Sequence, residues 1–214
     1  MTAATNRRIA VIAAGLSQPS STRLLADRVV EATRRRLAEE GVEVEVSVLE
    51  LRDVATDITN NMLTGFASPK LEAEIEKIVG ADALVAVTPI FTTSYSGLFK
   101  SFIDILQPDS LTGMPVLIGA TGGTERHSLA LDYALRPLFT YLHTVVVPTA
   151  VYAAASDWGS AGDAASGGLP ERIDRAAAEL AALAVASDRS RRVRDPFALP
   201  AGFSPTGVGG FQET

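Results

Sequence analysis

Short β-branched, apolar runs alternate with longer amphipathic stretches along this chain, and no other feature of it limits the fold as strongly. A strand–helix–strand repeat of this kind builds a parallel sheet with helices on both faces, since each crossover must cover a face. The first run, residues 8–14, is followed by Ser20-Ser21-Thr22, which suits a helix start. The amphipathic stretch behind it passes through Leu24, Leu25, Val29 and Leu37 to Gly41. Residues 43–49 alternate polar and apolar, as an edge strand does. Residues 83–88 are an almost continuous apolar run, the pattern of a central strand buried on both faces. Further helices are expected over 71–79, 96–106, 127–142 and 170–186, and further strands over 115–120 and 144–152. Residues 54–69 read as irregular, and 159–168 as a loop of small residues.

Five strands in a βα repeat suit an α/β, flavodoxin-like three-layer sandwich with a five-stranded parallel sheet in order 2-1-3-4-5. Such sheets bind ligands beyond the carboxyl ends of their strands, at the switch point. The loops after Ala14, Thr88 and Ala120 are therefore where a site is expected. The 214 residues fit one domain over 1–187. A tail over 188–214 carries Arg189, Arg191, Arg192 and Arg194, then proline and glycine. It is expected to be poorly ordered or packed on a neighbouring subunit.

Composition narrows the chemistry. With no cysteine, zinc–thiolate sites, iron–sulfur clusters and dithiol redox centres are excluded, so any redox work needs a bound organic cofactor. A net charge of −6 supplies no broad positive field for nucleic acid or an anionic membrane. Arg7-Arg8 precedes an apolar run too short for a signal segment, and no stretch approaches the ~18 apolar residues of a membrane span. A cytoplasmic protein is expected.

The loop after the first strand, Gly15-Leu16-Ser17-Gln18-Pro19-Ser20-Ser21-Thr22-Arg23, combines four hydroxyls and a cation at a helix start. Unpaired amides and a partial positive charge there favour a phosphate, and the side chains add donors. It lacks the glycines of a dinucleotide loop and the Gly-Lys-Ser/Thr of a triphosphate loop. The loop after the third strand, from Thr88 to Gly97, is small and polar around Phe91, which suits the edge and face of a flat heteroaromatic ring. The loop after the fourth strand, Ala120-Thr121-Gly122-Gly123-Thr124, permits close backbone approach and positive φ. Each loop alone fits ordinary helix capping or turning; together they fall at one end of the expected sheet.

Two of these segments carry a family likeness. Thr88-Pro89-Ile90-Phe91…Tyr95-Ser96-Gly97-Leu98…Lys100…Ile103-Asp104, and Ala120-Thr121-Gly122-Gly123-Thr124…His127…Leu129 to Pro137, resemble the NADPH-dependent FMN reductase family. The second segment is typical of its alkanesulfonate-linked branch. The resemblance spans roughly residues 8–187. It implies FMN held through its phosphate by Ser17, Ser20, Thr22 and Arg23. Pro89, Phe91, Thr92, Thr93 and Ser94 would line the ring, with Thr121, Gly122 and Gly123 along its polar edge. Ile90 and Thr92 depart from the acidic residue and asparagine common in the wider family. His127, beside the flavin loop, is a candidate contact for the nicotinamide nucleotide, with helix capping as the alternative. Tyr133 matches a tyrosine that accompanies a π-bulge and a tetramer interface in that branch. Independently, Pro137 removes the amide that the Tyr133 carbonyl would accept, so a bulge or kink is expected near 133–137.

The implied activity is hydride transfer from NADPH or NADH to FMN, with no catalytic side chain, no metal, and a flavin-dependent monooxygenase as recipient of reduced flavin. Two alternatives remain at this point. One is a quinone, azo or metal-oxyanion reductase with retained FMN; the other is a non-enzymatic flavodoxin-type carrier. Leu98, Phe99, Phe102, Leu138 and Phe139 exceed what one sheet face needs, so a homodimer or homotetramer is expected.

Overall fold

The computed structural model describes residues 5–158, 168–187 and 189. Its parallel sheet is built from β1 (Thr5–Ala13), β2 (Val42–Glu50), β3 (Ala83–Phe91), β5 (Pro115–Gly122) and the pair β6 (Val145–Val146) and β7 (Val151–Ala154). The order is β2-β1-β3-β5-β6, with β7 also parallel to β5 and the two-residue β4 (Ser94–Tyr95) antiparallel to β3. The expected fifth strand is thus divided: Val145–Val146 pairs with Pro115–Val116, and Val151–Ala154 with Gly119–Gly122. Pro148, which has no amide to give a ladder, lies in the gap.

Alternation across the strands creates two cores. Ile9, Val11, Ala13, Val85, Val87 and Leu117 face α1 (Ser21–Glu39) and α6 (Leu169–Ala186). Ala10, Ile12, Leu84, Ala86, Val116 and Ile118 face α3 (Pro69–Val79), α4 (Gly97–Asp104) and α5 (Arg136–Tyr141). Both faces are covered, which is why the central strands read as unbroken apolar runs. Phe99, Phe102 and Phe139 are wholly buried in the second core, and Leu98 and Leu138 pack against it. The three phenylalanines are interior packing and offer no surplus for self-association, so that part of the sequence argument is corrected, while Leu98 and Leu138 are half-buried.

Two helical stretches differ from expectation. Residues read as irregular contain α2 (Ala55–Thr64), which buries only Ile58 and ends at Gly65 in the left-handed conformation, φ 78°. One buried residue leaves no apolar stripe to read. The expected helix over 127–142 is broken into a short turn (Glu125–His127), a π-helical segment (Leu131–Leu135) and α5. The Arg136 amide donates to the Leu131 carbonyl, the five-residue spacing of a π turn.

Of the tail, Arg189 is described, and its guanidinium donates to the carbonyls of Val79, Ser110 and Thr112 near the amino ends of β3 and β5 of the same chain. Residues 190–214 lie outside the described residues.

Candidate active site

The three expected loops meet at the carboxyl rim. The hydroxyls of Thr22, in the first turn of α1, and Thr121, at the end of β5, share a buried hydrogen bond of 2.9 Å. Pro89 pairs with Thr121 across the β3–β5 ladder, which brings the third loop to the same place. Between them lies a cavity of about 370 Å³, lined by Ser21, by Pro89, Ile90 and Phe91, and by Thr121, Gly122 and Gly123.

The first loop is braced from below. Ser20 caps α1, its Oγ accepting the Arg23 amide at 3.2 Å, and a Cβ on Gly15 would stand 2.0 Å from that Oγ and displace the cap. Ser17 Oγ donates to the Pro19 carbonyl, and Arg52 donates to the Ser17 carbonyl at 2.8 Å. The Arg23 guanidinium pairs with Asp27 at 2.8 Å and Glu50 at 2.7 Å. Its hydrogen bond to Asp27, against the opposing effect of burial, raises its pKa further above the usual arginine value. In this structure Arg23 is therefore spoken for by carboxylates, and the cavity wall beside it is Ser21.

The third loop is a hairpin, Ile90 pairing with Tyr95 and Phe91 with Ser94 around a two-residue turn. Thr92 and Thr93 both have positive φ, 46° and 70°. That geometry belongs to asparagine and glycine, and β-branched residues in it cost on the order of 1–3 kcal/mol each. The strain is held by the Ser96 amide, which donates to the buried Thr88 hydroxyl at 3.1 Å. Phe91 stands at the cavity rim, 48% exposed.

Gly122 and Gly123 do not have positive φ, so the expected conformational reason for them is corrected. A Cβ on Gly122 would meet the Tyr152 hydroxyl at 2.0 Å, whereas a Cβ on Gly123 would meet nothing within 4 Å. Neither backbone nor packing demands glycine at 123; its lack of a side chain keeps the cavity open. A flat ring with a phosphate tail fits such a space, bounded by backbone, small side chains and the aromatic Phe91 and Trp158 next to a helix amino terminus. Tyr152 is buried and donates to the Thr124 carbonyl at 2.8 Å; burial, then Glu125 and Asp157, push its pKa up.

Not every expected site residue reaches the cavity wall. Thr92, Thr93 and Ser94 shape the hairpin, Ser17, Ser20, Thr22 and Arg23 support the wall from the first loop, and His127 is exposed on its short turn. Tyr133 projects from the π segment, 79% exposed. Sequence reasoning missed Ser21, Arg52, Ala155 and Trp158. The last two follow β7, whose end reaches the same rim, so the loop after the last strand was the signal overlooked. A larger cavity, about 580 Å³, lies on the other side of Tyr152. It is lined by Glu125, Asp132 and Asp157 against Arg136 and Arg172, with Asp132–Arg136 and Asp157–Arg172 paired. That balance of charge does not suit a phosphate.

Comparison with known proteins identifies the family. The profile of the family described as NADPH-dependent FMN reductase matches residues 7–159. An FMN reductase (NADPH) of Pseudomonas aeruginosa is 36% identical over 151 residues, 71% of this chain and 78% of its own. The NADH-dependent FMN reductase SfnF of Pseudomonas putida is 34% identical over 146 residues, 68% and 76%. An oxidoreductase of Corynebacterium diphtheriae superposes with TM-score 0.82 at 48% identity, covering 86% of this chain and all of its own. The NADH:FMN oxidoreductase EmoB in apo form superposes with TM-score 0.70 at 25% identity, covering 88% and 94%. On the profile match over residues 7–159 and these relatives, the chain belongs to the NADPH-dependent FMN reductase family.

Proposed function

We propose that this cavity holds FMN and that the chain uses it as an NAD(P)H:FMN oxidoreductase, the activity of its family. The observation that carries the placement is the open space in front of Gly123, in a cavity where the Thr22–Thr121 bond ties α1 to β5. FMN supplies the ring that accepts the hydride. The protein's part is to orient the stack and to set the field around it.

In this reading Ser17, Ser20, Ser21 and Thr22 surround the phosphate at the amino end of α1, where helix amides and dipole favour negative charge. Arg23 is held beside them by Asp27 and Glu50, which fix where its guanidinium stands next to the amino end of α1. Pro89, Phe91 and the strained Thr92–Thr93–Ser94 hairpin bound the ring, and Thr121, Gly122 and Gly123 present backbone to its polar edge. His127 is assigned to the nicotinamide nucleotide, approaching from solvent. No side chain is assigned an acid, base or nucleophilic role.

Residues 1–187 are proposed as the reductase domain, with 188–214 as an appendage. A homo-oligomer is part of the proposal, now supported by the exposed Leu129, Tyr133 and Tyr141 around the π segment instead of the buried phenylalanines. Among the described residues no helix is long and apolar enough to cross a membrane. A cytoplasmic setting is proposed because reduced nicotinamide nucleotides are intracellular donors. Release of reduced flavin to a monooxygenase completes the reading. The test is to purify the full chain and follow nicotinamide oxidation with stoichiometric and with excess FMN. Turnover that rises with free FMN supports release. Turnover that needs only bound FMN and an added quinone assigns retained flavin, and no oxidation at all ends the proposal.

A further inference from the structure

Trp158, the chain's one tryptophan, lines the cavity and is half-buried against the core beneath α1 and α6. The Arg28 guanidinium carbon lies 4.9 Å from the centroid of its ring, a cation–π contact. Ser21 and Arg28 are seven residues apart on α1, hence on one face of the helix and about 10 Å apart along its axis. Since Ser21 also lines the cavity, the indole runs along the face of α1 that begins at its amino terminus. That terminus is the end of the cavity that attracts a phosphate. Phe91, from the β3–β4 hairpin, bounds the cavity from a different element.

A mononucleotide flavin ends at its phosphate. A dinucleotide flavin continues from the same atom through a second phosphate to an adenosine. We propose that Trp158, pinned by Arg28, makes the site selective for the mononucleotide by walling off the path the second phosphate and adenosine would take. Arg28 is a positioning residue that acts through the indole, its cation engaging the ring while core contacts hold the other edge. The proposal rests on the FMN reading of this cavity and adds to it the element that sets flavin class.

The experiment measures steady-state nicotinamide oxidation with FMN and with FAD for wild type, Trp158→Ala, Trp158→Phe, Arg28→Ala and Arg28→Lys. The readout is the ratio of KM for FAD to KM for FMN, which a general loss of folded protein does not move. Trp158→Ala is expected to lower that ratio about tenfold or more, the scale on which a pocket wall discriminates. Arg28→Ala should shift it the same way by less. Arg28→Lys, which keeps a cation over the ring, and Trp158→Phe, which keeps an aromatic wall, should stay near wild type. Arg28 is exposed, so its variants keep the test decisive even if Trp158→Ala fails to fold. An unchanged ratio in Arg28→Ala and in any folded Trp158→Ala, with FMN still turned over, overturns the proposal alone. A wild-type chain that turns over neither flavin overturns the FMN reading itself.

Discussion

Gly123 separates ligand binding from stability in one substitution. A Cβ built there meets nothing within 4 Å, and its φ is not positive, so the Cβ of Gly123→Val meets no steric conflict in the apoprotein. Losing glycine's freedom in the unfolded chain should stabilise the apoprotein by about 0.4–1 kcal/mol. The same methyl groups would occupy the space assigned to FMN. Forcing extra methyl groups into a packed contact costs about 1–3 kcal/mol, equivalent to roughly 5- to 150-fold in Kd. Gly122→Ala is the contrasting control: its Cβ would stand 2.0 Å from the Tyr152 hydroxyl, so it should lose about 1–3 kcal/mol of stability before any ligand is added. The assays are denaturant unfolding of the apoproteins and fluorescence titration with FMN. A Gly123→Val protein that binds FMN as wild type does, or that loses apo stability, would refute the reasoning.

Thr22→Val leaves the buried Thr121 hydroxyl without its partner and should cost about 1–3 kcal/mol by denaturant unfolding, with weaker FMN binding. Replacing Thr92-Thr93 by Asn-Gly should relieve the left-handed strain and raise stability by about 1 kcal/mol or more, while changing the KM for FMN. Tyr152 has a raised pKa, so its neutral form is favoured by the fold. Its contribution is complete below the unfolded tyrosine value near ~10 and is lost as pH rises through the folded value. Tyr152→Phe should therefore flatten the alkaline limb of a stability–pH profile, and an unaltered limb would show that another group controls it.

Much of the sheet was legible because burial on both faces writes itself as unbroken apolar runs, as in residues 83–88. The rim loops were legible for a related reason: once strand order is known, the rim is known. What stayed hidden depended on pairings between distant residues. Nothing local marks Thr22 as the partner of Thr121, or Gly122 as making room for the Tyr152 hydroxyl. Trp158 escaped notice because it ends a short turn, Ala155–Trp158, that has no strand or helix signal of its own. Nor does anything local mark Glu50, at the end of β2, as the partner of Arg23. The aromatic surplus on α4 and α5 misled in the opposite direction, since Phe99 and Phe139 fill the core together, their ring centroids 6.2 Å apart.

The most direct measurement is a crystal structure of the full chain grown with FMN. The account predicts one flavin per chain, its phosphate at the amides of Ser21 and Thr22 and its ring between Phe91 and Gly123. Flavin density in the larger cavity beyond Tyr152, or at a site that leaves Gly123 facing solvent, would contradict it.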